Sequence, residues 1–179
     1  MNLLFRLLQV LLRFVRNPAR LKPLDVSTLN FRVWPNDLDT NLHMNNGRYL
    51  TLMDLGRFDL LLRVGIFRVG WKKKWIPVLG ATTVRFRRSL KLFQKFELKT
   101  RIIAWDATWV YIEQSIESEG QLYCLAYLRG LFTGPNGKVA MKELLDVIGA
   151  DFNSSPILPE AISQWLKAED SLYQDFQKR

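Results

Sequence analysis

Apolar residues follow two different periodicities along this chain, and each stretch of one kind ends at turn-forming residues. Alternation from Leu29 to Trp34 predicts a first strand, which Pro35, Asn36, Asp37 and Asp39 break into a loop. From about Gly47 to Val64, Tyr49, Leu50, Met53, Leu60, Leu61 and Val64 recur at steps of three and four and predict a helix with Gly65 as its C-terminal cap. Such a helix is a rod about 27 Å long. Pro77 to Arg87 reads as a strand, and Phe96, Leu98, Thr100, Ile102 and Ala104 alternate with Glu97, Lys99, Arg101 and Ile103 in a clear period of two. Asp106-Ala107-Thr108 turns that strand into Trp109 to Ser118, and Glu119-Gly120 turns again into Gln121 to Thr133. Short turns make these three strands antiparallel neighbours. Gly134-Pro135-Asn136-Gly137 ends the sheet, and helices follow near Lys142 to Ile148 and from Pro159 to about Phe176.

This order predicts an α+β fold in which an antiparallel sheet buries its apolar face on one long helix. It lacks the alternating strand and helix units of a doubly wound fold and has no glycine-rich phosphate loop. Gly56, in mid-helix, marks close approach of helix and sheet. The reading divides the chain into a basic amphipathic helix at 1–20, a linker at 21–28, a main domain at 29–150 and a helical extension at 151–179.

In the first segment Asn2, Arg6, Gln9, Arg13 and Arg16 recur at helical steps among leucines, giving a wide apolar face with a narrow basic stripe. Asn17-Pro18 ends it. Arginines interrupt the leucines throughout, unlike a secretory signal. Two settings fit: a helix lying on an anionic membrane with its arginines at headgroup level, or one packed on its own domain or a second subunit.

Composition narrows the picture. The 179 residues carry 26 Lys and Arg against 17 Asp and Glu, a net charge of +9, with one His and one Cys. One cysteine and one histidine exclude a disulfide scaffold and a Cys/His metal site, so no metal is expected. No apolar run approaches the roughly 18 residues that span a bilayer, so a cytoplasmic protein, peripheral at most on a membrane, is expected. Nucleic acid, membrane and acidic small molecules compete to explain the charge. Arg68, Lys72, Lys73 and Lys74 beside Trp71 and Trp75 read as a solvated loop with inward tryptophans, and nucleic acid is the weakest reading. Arg85, Arg87, Arg88, Lys91, Lys95, Lys99 and Arg101 form a positive stripe suited to a phosphorylated ligand.

The segment richest in chemistry is Asn36-Asp37-Leu38-Asp39-Thr40-Asn41-Leu42-His43-Met44-Asn45-Asn46-Gly47-Arg48-Tyr49. It places carboxylates, amides and the single imidazole directly before the long helix, whose first N–H groups can hold developing negative charge. Asn and Asp are also ordinary turn and cap residues. Spacing of Asp39, Asn41 and His43 at steps of two goes beyond a cap. Asp59 reads as a residue of an exposed helix edge, Asp54 as one that can face a dimer contact, and Cys124 as a buried apolar residue.

From about Phe31 to Thr133 these residues resemble the hotdog-fold acyl thioesterases, especially the plant acyl-ACP thioesterases and the thioesterase-superfamily-member-6-like proteins. The resemblance implies a sheet wrapped around the long helix and subunits paired as a homodimer or a dimer of dimers, with sites at the interface. It implies Asp39 as base or nucleophile, Asn41 as an orienting amide, His43 as the imidazole, and an oxyanion donor near Asn46 or Gly47, with Tyr49 beside them. Arg87 and Arg88 would meet the phosphates of coenzyme A or of a carrier-protein phosphopantetheine. No cofactor is implied, coenzyme A being part of the substrate. The plant enzymes carry a further acid after a paired arginine, where this chain has Ser89. The implied activity is hydrolysis of acyl-CoA, or of acyl-ACP, to a fatty acid. The rival class is a non-catalytic, membrane-associated protein that binds acyl chains or scaffolds a partner.

Overall fold

A computed structural model describes residues 3–178; Met1, Asn2 and Arg179 lie outside the described residues, so Asn2 has no structural account. The elements run α1 (Leu3–Arg16), β1 (Ser27–Arg32), a 3-10 turn (Pro35–Asp37), α2 (Asn46–Val64), α3 (Ile66–Lys73), β2 (Ile76–Phe86), β3 (Lys95–Trp105), β4 (Val110–Ser118), β5 (Gln121–Gly134), β6 (Gly137–Lys138), α4 (Met141–Ile148), a second 3-10 turn (Phe152–Ser154) and α5 (Glu160–Gln177). All strand pairings are antiparallel, in the order β1-β3-β4-β5-β2, with β6 beside β5. The meander β3-β4-β5 follows from its short turns, and Glu119 and Gly120 carry the positive φ that the β4-β5 turn requires.

The sheet wraps α2. Tyr49, Leu52, Met53, Leu55 and Leu60 of this helix are buried, several of them against Leu98, Ile116, Cys124 and Ala126 of the sheet. Gly56 sits where the two layers meet: a Cβ there would fall 2.5 Å from Thr100 Oγ1 and 2.9 Å from Gln114 Nε2. Close approach, not flexibility, explains this glycine. Gln114 is fully buried and donates to the Met53 carbonyl and to Thr100 Oγ1, so the contact is polar but satisfied. Gly65 ends α2 with φ of 91°, as its sequence position predicts.

Some local expectations fail. Residues 66–73 form helix α3, not a loop, because Gly65 turns the chain and Ile66 and Gly70 are buried beneath it. Trp75 is half-buried, but Trp71 is 78% exposed and does not pack inward. Asp59 is buried, not at an exposed edge: Arg63 Nε lies 2.8 Å from its Oδ2 and Ser27 Oγ donates to the same atom.

Helix α1 packs along α2 in the same direction. Arg6, near its start, reaches Asp37, and the carbonyls of Asn17 and Ala19 past its end accept from Arg63. The C-terminal helix α5 lays Ile162 and Leu166 on Ala104 and Tyr111 at the outer face of the sheet.

Candidate functional site

The motif segment folds into a tight hairpin that leads into α2. Leu38 pairs with Met44, Asp39 N–H donates to the His43 carbonyl, and Leu42 at the tip takes φ of 58°. His43 in turn pairs with Lys91, and the Met44 N–H donates to the Leu90 carbonyl. The hairpin is therefore held between α2 and the segment after β2.

Its two carboxylates have opposite environments. Asp37 is fully buried and accepts from Arg6 Nη1 and Nη2, at 3.1 and 2.5 Å, together with the Trp34 N–H at 2.8 Å; Arg48 Nε lies 3.7 Å away. All its acceptor capacity goes into holding the chain. Asp39 is half-buried, and its Oδ1 accepts the N–H groups of Asn41 at 2.8 Å and His43 at 3.4 Å. Those bonds fix the carboxylate, while Oδ2 makes no hydrogen bond among the described residues. Of the two acids, only Asp39 has an oxygen available to a substrate or a water. Asn41 is exposed and His43 half-buried, so both side chains border the hairpin surface.

The helix start supplies the electrophilic counterpart. Asn45 is the N-cap, and its side chain accepts the Gly47 N–H at 2.8 Å. That bond gives the Gly47 N–H, one of the two expected oxyanion donors, an acceptor within the cap. Asn46, exposed in the first turn, keeps a backbone N–H without an acceptor among the described residues, at the positive end of the 19-residue helix. Tyr49, expected beside these residues, lies beneath the surface. It is 1% exposed, its hydroxyl accepts the Leu90 N–H at 3.2 Å, and burial raises its pKa above the usual phenol value. It supports the site from below by fixing the residue next to Lys91.

The positive stripe divides into two populations. Lys99 pairs with Glu117 at 2.6 Å and Glu97 at 3.5 Å, and Arg101 pairs with Glu113 at 2.8 Å, so the β3-β4 face is internally neutralised. Arg87 and Arg88, just past β2, are exposed with no ion pair among the described residues, and neither Arg85 nor Lys91 has one. Strand order places β5 between the β3-β4 pair and β2. The unpaired group lies on the segment that bridges to His43.

Farther along α2, a cavity of about 310 Å³ opens between the helix, the sheet and α4. Leu61, Val64, Ile112, Leu128 and Leu144 line it, and Asp54 and Arg57 are its charged neighbours. These two form an ion pair with each other, and Arg57 also donates to Gln114 at 2.8 Å. Burial lowers the Arg57 pKa, with Asp54 opposing the shift. Cys124 is buried, and burial alone pushes its pKa up to about 12, which suits a packing residue.

Sequence reasoning missed the support beneath the site. The pairing of Arg6 with Asp37 joins residues 31 apart, and no local signal reports it. Asn45 was readable, since Asn-Asn-Gly before an apolar helical pattern is a capping signature.

Known proteins match this chain over most of its length. The family model of the thioesterase-like superfamily matches residues 33–166. Protein THEM6 of Xenopus laevis is 33% identical over 142 residues, covering 78% of this chain and 66% of that protein. Protein THEM6 of Danio rerio is 43% identical over 97 residues, 54% of this chain; the chain spans about half of that relative's length, at 48%. Among solved structures, the YbaW probable thioesterase from Escherichia coli superposes with a TM-score of 0.63 at 21% identity, covering 68% of this chain and 95% of that one. BH1999 gentisyl-coenzyme A thioesterase gives 0.62 at 17% identity, covering 69% and 100%. Both share the fold.

Proposed function

The chain belongs to the thioesterase-like superfamily, and on that premise we propose that it hydrolyses an acyl-CoA thioester to a fatty acid and coenzyme A. Two observations on the segment that leads into α2 carry the reading: a fixed carboxylate, Asp39, whose Oδ2 makes no hydrogen bond among the described residues, and the Asn46 N–H, without an acceptor among them, at the start of a long helix. The thioester carbonyl oxygen accepts from the Asn46 N–H. Asp39 Oδ2 takes a proton from water as that water adds to the carbonyl carbon. Collapse of the tetrahedral intermediate breaks the C–S bond, and the thiolate leaves and is protonated. In the covalent variant Asp39 itself attacks, giving an anhydride that water then opens. Asn41 and His43 orient the water and the leaving group.

Three further features fit this reading. Arg87, Arg88 and Lys91, exposed and without an ion pair among the described residues, supply phosphate contacts, with Lys91 beside His43. The cavity lies about 12 Å and more along α2 from Asn46, so reaching it takes an extended acyl chain, not an acetyl group. Strand β2 ends the main sheet path, and Ile76, Pro77, Val78, Leu79 and Gly80 are exposed in succession, whereas β3 alternates exposed and buried residues. The first half of β2, exposed and at the edge of the sheet, suits pairing with a second copy, and a homodimer is part of the proposal.

An acidic carrier protein would satisfy the same arginines, so acyl-ACP is the second reading of the leaving thiol. The test is thiol release from acyl-CoA substrates of graded chain length, run beside the matching acyl-ACP set. Release from CoA esters, rising with chain length, is expected. Release from the ACP set alone replaces the carrier, and no release from either set removes the enzyme reading in favour of an acyl-binding protein.

A further inference from the structure

Helix α1 carries an apolar stripe that its own domain does not cover. At about 100° per residue, Leu4, Val15, Leu8, Leu12 and Phe5 fall within an arc of about 100°, and these five are 50–73% exposed. The inward arc holds Leu3, Leu7 and Val10, packed in the core. The wide apolar face read from the sequence is thus divided, one half facing the domain and one half facing out. The basic stripe does not lie where a surface-bound peptide would have it. Arg6 is buried on Asp37 and the Arg32 carbonyl, and Arg13 donates to the Thr28 carbonyl. Arg16, Arg20 and Lys22 remain exposed at the end of the stripe, and no acid precedes Asp25.

We propose that the outward face of α1 is a docking surface for an anionic lipid bilayer, the five apolar side chains entering the headgroup boundary and Arg16, Arg20 and Lys22 meeting lipid phosphates. Among the described residues no helix is long and apolar enough to cross a membrane, so the contact is interfacial. The stripe is about 17 Å long and is pre-formed. Arg6, Arg13 and the Arg63 bonds past the helix end hold α1 to the domain, so binding carries no cost of folding a free peptide. Charge selects lipid over a second copy as occupant of this face: the segment that carries the stripe has no acid before Asp25, so two copies of it repel each other while an anionic surface attracts it.

The test is flotation of the full chain with vesicles of phosphatidylcholine alone and of phosphatidylcholine mixed with phosphatidylglycerol. The wild type is expected to float with the anionic vesicles, to float far less with neutral ones, and to release as salt is raised. Leu8→Glu with Leu12→Glu, both exposed in the structure, should lower the partition coefficient tenfold or more at unchanged melting temperature. Arg16→Glu with Arg20→Glu should abolish the preference for anionic vesicles and touches no apolar residue, which covers the case of a misfolded first variant. Wild-type protein that stays with the dense fraction in both mixtures overturns the proposal, as does wild-type flotation by both variants. A Leu8→Glu, Leu12→Glu protein of half the sedimenting mass, from a wild type that ignores vesicles, assigns the stripe to a second copy instead. None of these readouts involves thioester hydrolysis, so they stand apart from the activity reading.

Discussion

The two ends of α2 are built in opposite ways. At its start, exposed polar residues, a hairpin and a helix terminus whose Asn46 N–H has no acceptor among the described residues meet, and hydrogen bonds from backbone groups hold the Asp39 carboxylate. Along its second half the helix is enclosed by aliphatic side chains, and shape, not hydrogen bonding, defines the space. Chemistry needs fixed direction, which N–H donors provide; accommodation of a chain needs volume without direction, which apolar packing provides. The same division appears within three residues at the hairpin, where both oxygens of Asp37 hold structure and only one oxygen of Asp39 has a hydrogen bond among the described residues.

The sharpest way to break that comparison is to exchange the roles of the two aspartates. Asp39→Asn should lower kcat about a thousandfold and leave the melting temperature unchanged, since its Oδ1 contacts survive in the amide. Asp37→Asn should do the reverse, costing about 3 kcal/mol, or about 10 °C in melting temperature, by leaving Arg6 buried without a counter-charge. Thermal melts and initial rates on both variants decide the matter. A stable, inactive Asp37→Asn protein beside an active Asp39→Asn protein would reverse the assignment.

Much of this division was legible in the sequence. Helical spacing and Gly65 placed α2 within a residue of its observed ends, and period-two alternation in one strand with two turn signals after it located the three meander strands, because each signal is local. The segment from Asn36 to Tyr49 was recognisable from its density of acids and amides. What could not be read depends on partners distant in the chain. Asp59 looks like a surface acid until Arg63 and Ser27 close over it, and Arg101 looks like part of a phosphate site until β4 brings Glu113 beside it. Nothing near Asp37 in the sequence shows that it is buried and paired, because its partner Arg6 lies 31 residues away.

At the apolar end, filling the cavity should sharpen the comparison. Leu61 is half-buried on its wall, and Leu61→Trp should lower kcat/KM for the longest acyl chains about tenfold, a loss of the size that steric exclusion from an apolar pocket gives, with short chains unaffected. Equal loss across all chain lengths would show that the cavity does not receive the acyl group. Kinetics on the same graded CoA esters supply the comparison.

The smallest effect belongs to the rim of the polar end. Arg87 and Arg88 are solvated, so each phosphate contact is weak and screened, and Arg87→Ala with Arg88→Ala should raise KM several-fold with kcat unchanged. Two controls identify the cause. The effect should fade at high salt, because a Coulombic contact between exposed groups decays with the screening length. It should also vanish with a short acyl thioester that lacks phosphates, because only the carrier end of the substrate meets these side chains. Persistence of the KM change with that truncated substrate would place the arginines against the acyl or thioester portion, and the site would then extend from the hairpin toward β2 instead of ending at Lys91.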